Sequence, residues 1–514
     1  MNNYSVLSIL KIFFQRLNKK RKKQLLFLFF IVILSAFAET LSLASAFPFL
    51  QIIIDQENIW RNEIISNIFE TFGLGKNDNL ILPICFLFAL TAIIASKLKI
   101  YNLWFSGKLA AKISSDLSSH CYKQNIYEEY EKQIDKNSSN LITNNSLYIT
   151  QCNEILASTA RLFSNVIIGF SISIYLIILN PFLALSSILI FSLVYIFLGR
   201  VLQKKLLINS EIIDINSRNQ VKIIQESIGS LRDIILSGNQ KYFLELYENI
   251  ESKIRFKTAE NVFINVMPRY AVEGFFLVIL SILVFIISFD KSNFSNVIAV
   301  LGTFAIGAQK LLPCMQQSYG TWSFIVGAKS SLINILNLSS KEINRELTLY
   351  KAKPYALKKS IKLENISYKY PKSENYVFKN VNLEISKGDK IGIIGKSGIG
   401  KSTIMDLIIG LLEPTSGSLE IDGNNILDKK NFFRKLDWRK SISHVPQNIF
   451  LNDSTFAENI AFGENLQSID IKKVKKAARK ANIDKFIMEQ PLKYKSRIGE
   501  NGVMLSGGQK QRIG

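Results

Sequence analysis

Residues that carry redox or metal chemistry are scarce in this chain. Its four cysteines, Cys85, Cys121, Cys152 and Cys314, are scattered without any C-x-x-C spacing, so neither a disulfide framework nor a thiolate zinc site is implied. Two histidines, His120 and His444, leave little basis for a His-based metal centre or triad. Negative charge is also short: 41 Asp and Glu face 63 Lys and Arg, a formal net charge of +22. Such an excess fits nucleic acid, an anionic membrane surface, or the cytoplasmic loops of a membrane protein. The positions of the basic residues decide among these.

What the chain has in quantity is apolar sequence. At 514 residues and 48% hydrophobic it is too long for one ordinary domain. Six runs, near 24–50, 79–100, 157–179, 181–200, 264–289 and 296–316, approach the length needed to cross a bilayer. The first follows "KKRKK" at 19–23. A basic head, an apolar run and "ASA" at 44–46 also fit a signal peptide, but the further runs make a retained first span the simpler reading.

The connections alternate in length. Asn180-Pro181 and "DKSNFSN" are tight turns on one side of the membrane. The stretches 101–156 and 201–263 are long and polar, and the second, with Arg200 just before it, carries Lys204, Lys205, Arg218, Lys222, Arg232, Lys253, Arg255 and Lys257. Basic loops stay in the cytoplasm. With "KKRKK" also inside, the spans orient consistently with both termini cytoplasmic. That explains much of the basic charge, and no nucleic-acid partner is expected. Ile and Leu at helical spacing favour helical hairpins over solvated loops. Each leg would extend a span by roughly 35–40 Å, with turns near 135–145 and 227–240.

Over 339–360 the chain turns polar and Lys-rich and reads as a linker between a membrane domain at 1–338 and an α/β domain at 361–514. In the latter, "IKLENISYKYP", "YVFKNVNLEIS" and "SGSLEIDGNN" predict strands, the last running into an Asp-Gly turn. "KIGIIG" predicts a short buried strand and "IDIKKVKKAARKANI" an amphipathic helix.

"GKSGIGKST" fits G-x-x-x-x-G-K-[ST]. Its residues are Gly395, Lys396, Ser397, Gly398, Ile399, Gly400, Lys401, Ser402 and Thr403. Small residues let consecutive backbone N–H groups turn toward an anion. The helix that follows presents its positive end to phosphates. Lys401 would meet the β- and γ-phosphates and Ser402 would ligate Mg²⁺. An unliganded Gly-rich turn is the bland alternative.

About a hundred residues later comes "LSGGQ", Leu505 to Gln509. With these motifs in this order, nearly the whole chain resembles an exporter-type ABC half-transporter: a six-helix membrane domain with long cytoplasmic hairpins, then a P-loop nucleotide-binding domain. The resemblance implies ATP and Mg²⁺ as cofactors, a second half-transporter as partner in a homodimer, and an integral, multi-pass place in a bacterial inner membrane. It makes Gln447 of "VPQNIFL" a Mg²⁺ contact. Tyr370 of "YKYP" becomes the residue stacked on adenine, with an ordinary strand tyrosine as the alternative. Glu500 of "RIGENG" would lie near the coupling helices, which the turns at 135–145 and 227–240 would form. Ser506 reads as a helix N-cap exposing the N–H groups of Gly507 and Gly508. In this family Ser506, Gly507, Gly508 and Gln509 would face the γ-phosphate held by a second chain. His444 is not the family's switch histidine and reads as structural.

The family's hydrolytic residues (an Asp-ended strand, the catalytic glutamate and the switch histidine) follow its signature helix and do not occur here. The nucleotide domain is therefore expected to be incomplete, as a fragment or a truly truncated product, and on its own inactive in ATP turnover. No catalytic residue is assigned.

Short motifs in the spans ("AFAETLSLA", "NVMPRYAVEGF", "QKLLPCMQQSY") resemble the subgroup that flips lipid-linked oligosaccharides or exports polysaccharide and lipid precursors. Drug or peptide export is the alternative, as is an ATP-binding membrane protein without turnover. Glu39, Arg269, Glu273 and Lys310 lie in or near apolar spans, where charge faces a cavity or a partner. An Arg269/Lys310 pair would suit a lipid pyrophosphate; interhelical pairing or snorkelling is the other reading.

Overall fold

The computed structural model describes residues 5–54, 81–134, 136–287, 294–339, 349–371, 373–428 and 432–514. Residues 290–293 of the expected connection and 340–348 of the linker lie outside these residues. The chain divides into two compact units, Met1–Leu349 and Tyr350–Gly514.

The first unit is helical. A short helix α1 (Val6–Gln15) precedes α2 (Lys19–Ala44) and α3 (Ala46–Ile54). Next come α4 (Ile81–Tyr127), α5 (Tyr130–Ile134), α6 (Ser138–Asn145) and α7 (Leu147–Leu179). They are followed by α8 (Pro181–Gly229), α9 (Leu231–Ser237), α10 (Gln240–Ile287), α11 (Phe294–Gly327) and α12 (Lys329–Ser339). Among the described residues, Lys19–Ile52, Ile81–Tyr127 and Ser138–Leu179 are long and apolar enough to cross a membrane. Of the other three expected runs, 181–200 and 296–316 lie inside α8 and α11, and 264–287 of the third inside α10.

The packing of α2 shows why an apolar sequence forms a specific bundle. Its buried residues include Leu28, Val32, Ser35, Glu39 and Ser42, a seam at spacings of three and four. Phe27, Phe30 and Phe37 on its other faces are exposed. Small and polar side chains face neighbouring helices, and large apolar ones face outward, as in membrane helix packing. Between α7 and α8, Asn180 is extended with φ −152° and ψ 100°. The residue before a proline avoids the helical region, and Pro181 opens the next helix.

The long polar stretches are helical. α4 runs on from residue 100 to Tyr127, and α8 from residue 200 to Gly229. The expected turns at 135–145 and 227–240 contain the short helices α6 and α9.

The second unit contains a four-stranded antiparallel sheet in the order β2-β1-β3-β4. The strands are β1 (Ser360–Tyr368), β2 (Phe378–Ser386), β3 (Ser416–Ile421) and β4 (Asn424–Asn425). Ile361, Leu363, Leu419 and Ile421 pack from the sheet onto Leu407 and Ile408 of α13 (Lys401–Ile409) and Trp438 of α14 (Phe432–Ser441). The expected Asp-Gly turn joins β3 to β4: Asp422 and Gly423 both have positive φ (52° and 78°), as a two-residue hairpin of right-handed twist requires. A second core, with Phe456, Val474, Ile487 and Tyr494 at its centre, holds α15 (Phe456–Ile460), α16 (Ile471–Lys480), α17 (Asp484–Met488) and α18 (Gly507–Ile513) together.

One expectation fails here. Residues 390–395, "KIGIIG", form no strand, and Ile394 is 97% exposed. A strand needs a hydrogen-bonding neighbour, and parallel sheets need both faces covered. No described strand lies beside this segment, and the sheet that does form is antiparallel rather than parallel.

Candidate functional site

The loop Gly395–Thr403 links that open segment to α13. Gly398 and Gly400 have φ of +82° and +102°, backbone conformations that side chains resist. At Gly400 space also demands glycine: an added Cβ would lie 2.5 Å from Val377 Cγ1. The loop therefore wraps tightly against β2. Lys401 folds back over it and donates from Nζ to the carbonyls of Gly395 and Lys396, both at 2.8 Å. This places an ammonium over the loop at the positive end of a nine-residue helix.

The far end of α13 is anchored by α14. Trp438 Nε1 donates to the Ile408 carbonyl at 2.8 Å, and Arg439 Nε donates to that of Gly410 at 2.9 Å. On α13 itself, burial pushes the Asp406 carboxyl above its usual range, with His444 acting in the opposite direction.

Tyr370 sits just past β1, partly exposed, with its hydroxyl 3.1 Å from Thr403 Oγ1. The structure thus brings Tyr370 to the phosphate-loop helix, with its ring packed edge-on against Tyr368. Gln447 is exposed on a segment without regular structure, as is His444. No described contact joins Gln447 to Ser402, and among the described residues no cluster of His, Cys, Asp or Glu could hold a metal.

At the other end of the unit, Ser506 caps α18. Its Oγ accepts from the Gln509 N–H at 3.3 Å, and the Ser506 N–H donates to Gln509 Oε1 at 2.8 Å. This reciprocal box satisfies two donors at the helix start. A Cβ on Gly507 or Gly508 would meet nothing within 4 Å, so this helix end is open to approach. Glu500 is exposed in a single 3-10 turn before it.

The charged residues of the helical unit are arranged differently from the expected basic pair. Lys310 on α11 places Nζ 2.9 Å from Glu39 Oε2 on α2 and 3.2 Å from Ser42 Oγ. Lys99 on α4 places Nζ 3.3 Å from Glu39 Oε1. Arg269 pairs within its own helix with Glu273, 3.7 Å away. Arg269 and Lys310 are therefore each neutralised by a carboxylate and form no joint cationic site. Lys99 was not singled out in the sequence. Its signal was there: Lys97 and Lys99 interrupt a helix that stays apolar through Trp104 and Phe105.

Between α7, α8 and α11 lies a cavity of about 570 Å³. Val166, Phe170, Ile196, Leu311 and Met315 supply an apolar wall, and Asn165, Arg200 and Gln203 supply polar groups.

The loop fits an anion: its glycines hold it open, and a helix end and Lys401 converge on it. Gly395–Thr403 would hold the phosphates of ATP, Tyr370 the adenine side, and Ser402 a Mg²⁺ ion. The model of the family described as ABC transporter matches residues 378–514. An ATP-dependent lipid A-core flippase of Wigglesworthia glossinidia brevipalpis is 27% identical over 80% of this chain and 69% of its own length. The heterocyst differentiation ATP-binding protein HepA of a Nostoc species is 28% identical over 64% of this chain and 53% of its own. The putative multidrug export ATP-binding/permease protein YgaD of Bacillus subtilis is 38% identical over 31% of this chain, only 28% of that protein. In fold, the chain superposes on a bacterial Atm1-family ABC exporter with ATP bound, with a TM-score of 0.71 at 16% identity, over 96% of this chain and 82% of that one.

Proposed function

We propose that this chain is an exporter-type ABC half-transporter, and that two copies form an ATP-driven exporter or flippase for a lipid, a lipid-linked oligosaccharide or a polysaccharide precursor; the family match over 378–514, the likeness to a lipid A-core flippase and the exporter fold support this reading. Six spans, with both termini cytoplasmic, are part of this reading, as is a bacterial inner-membrane location. Gly395–Thr403 of one copy and Ser506–Gln509 of the other would close on one ATP. Bound ATP with Mg²⁺ supplies the free energy of phosphoryl transfer. The chain's own residues cradle the phosphates, orient the base and, through the capped helix end, meet the γ-phosphate across the dimer. Gln447 would approach the Mg²⁺ in that closed state.

The observation that carries the substrate class is the cavity between α7, α8 and α11. It joins an apolar wall to Arg200, Gln203 and Asn165, the combination an amphipathic anionic lipid needs. Of the charges expected to serve substrate, Glu39, Lys310, Arg269 and Glu273 pair with one another or with Lys99, which supports a structural role. Drug export is the second reading, favoured by the likeness to the Bacillus subtilis multidrug protein. The test is binding and flipping of a fluorescent lipid-linked oligosaccharide by reconstituted protein, with and without ATP, against a cationic dye. Lipid binding lost in Arg200→Ala supports the proposal. Dye transport without lipid binding overturns it in favour of drug export.

A further inference from the structure

A second cavity, of about 270 Å³, lies where α1, α2, α4 and α7 meet. On α2 it runs from Leu25 to Val32, on α7 from Leu156 to Ile167, and Phe14 closes it from α1. At the helical rise these stretches measure roughly 10 and 16 Å. The lining is apolar apart from Ser106 and Thr159, whose hydroxyls donate to the carbonyls of Leu103 and Ile155 in their own helices. With both hydroxyl protons already used and the rest of the lining apolar, a water would find few partners, and an apolar occupant is favoured. Phe29 and Phe163 at its edge are 53% and 58% exposed, so the cavity opens on the outward, apolar face of the bundle.

The near end of this slot lies two residues from a dense positive charge. Lys11, Arg16 and all five residues of 19–23 are basic, and the first 23 residues contain no Asp or Glu. Three of these cations tie the end of α1 and the start of α2 to each other and to α4 and α12. Arg21 pairs with Asp116 through Nε and Nη2 at 2.8 and 3.0 Å. Arg16 donates to the Leu336 carbonyl, and Lys22 to that of Gln15. Lys19, Lys20 and Lys23 are exposed at the same level.

We infer that this slot binds one anionic phospholipid of the leaflet that the basic run faces, separately from the transported substrate. One acyl chain fills the cavity, and Lys19, Lys20 and Lys23 receive the phosphate and headgroup charge. The inference rests on the reading that these helices span a membrane, but not on ATP use or on what is transported. Depth supports it: a headgroup at residues 19–23 and a chain running toward Val32 follow α2 in the direction a lipid lies beside a spanning helix. Charge supports the choice of an anionic lipid, since each basic residue near such a surface adds to the attraction.

The test places the full chain in nanodiscs of phosphatidylcholine doped with either phosphatidylglycerol or phosphatidylcholine carrying a photoactivatable acyl chain, and maps the labelled peptides. Wild type should take the phosphatidylglycerol label at 25–32 and 156–167 at least about fivefold over the phosphatidylcholine label, the effect of one lysine near an anionic surface. Ala160→Leu, which fills the slot, should lower that labelling. The triple Lys19→Gln, Lys20→Gln, Lys23→Gln variant should reduce it to the phosphatidylcholine level. Labelling at Phe197 on the outer surface should stay constant and reports on folding. Should Ala160→Leu fail that control, the exposed lysine variant decides alone. Equal labelling by both lipids in wild type, or phosphatidylglycerol preference surviving the triple variant, overturns the inference. Failure of the chain to insert into nanodiscs would instead overturn the membrane reading.

Discussion

Lys310 and Glu39, 271 residues apart in sequence, form an ion pair of 2.9 Å between α11 and α2. The Glu39 side chain is 9% exposed, whereas that of Lys99, its second partner, is 57% exposed. The two ion pairs therefore differ in worth. Glu39→Gln leaves Lys310 without its buried counter-charge and should destabilise the protein by about 3–5 kcal/mol. Lys99→Gln breaks an exposed pair and should cost about 1 kcal/mol or less. Thermal unfolding in detergent checks this. Equal effects of the two substitutions would show that burial does not govern the cluster.

Gly400→Ala confronts both a positive φ and a 2.5 Å approach to Val377. Backbone strain alone is worth about 1–3 kcal/mol, and the loop must shift to relieve the contact. Nucleotide affinity, measured with a fluorescent ATP analogue, should fall tenfold or more, about 1.4 kcal/mol. Gly508→Ala, in open space, should leave the fold intact.

Tyr370 can be dissected by two substitutions. Tyr370→Phe loses only the hydroxyl contact to Thr403, about 0.5–1.5 kcal/mol. Tyr370→Ala also loses the ring and, if adenine stacks there, another ~1–3 kcal/mol of affinity. Equal nucleotide affinity for the two variants would remove the stacking role.

Asp422 predicts the direction of an acid effect. Burial pushes its carboxyl up, but donors from the Lys358 and Lys359 N–H groups, the Tyr355 hydroxyl and the Ser360 N–H outweigh it, and the net value lies below the usual carboxylate range. A group depressed in the folded state contributes stability above its unfolded value, about pH 4, and loses it as pH falls through the folded value. Asp422→Asn should cost about 1–3 kcal/mol at neutral pH and flatten the acid limb of the stability curve. An unchanged acid limb in denaturant titrations from pH 7 to 3 would contradict this.

The sequence made the phosphate loop, the capped signature helix and the apolar runs legible, because each depends on neighbours within a few residues. Ser506 and Gln509 cap one helix from three positions apart, and Asp422-Gly423 builds its own turn. The ion cluster was only half legible. Glu39 and Lys310 stood out as charges in apolar sequence, but their partners depend on which helices meet, which no local pattern encodes. "KIGIIG" was misjudged for a related reason. Its β-branched residues suit a strand, yet a strand exists only where another offers hydrogen bonds. The helix α1 went unexpected because its apolar face, Val6, Ile9, Leu10 and Phe13, is short and lies outside any membrane-length run.

The posture of Lys401 recasts what binding at this loop measures. Its ammonium already donates to two carbonyls of its own loop. An arriving phosphate does not find a vacant cation; it enters a competition and displaces internal ligands. The affinity of the loop for nucleotide is thus the difference between two well-made sets of hydrogen bonds. Weakening the internal set would tighten binding without touching a single atom of the ligand.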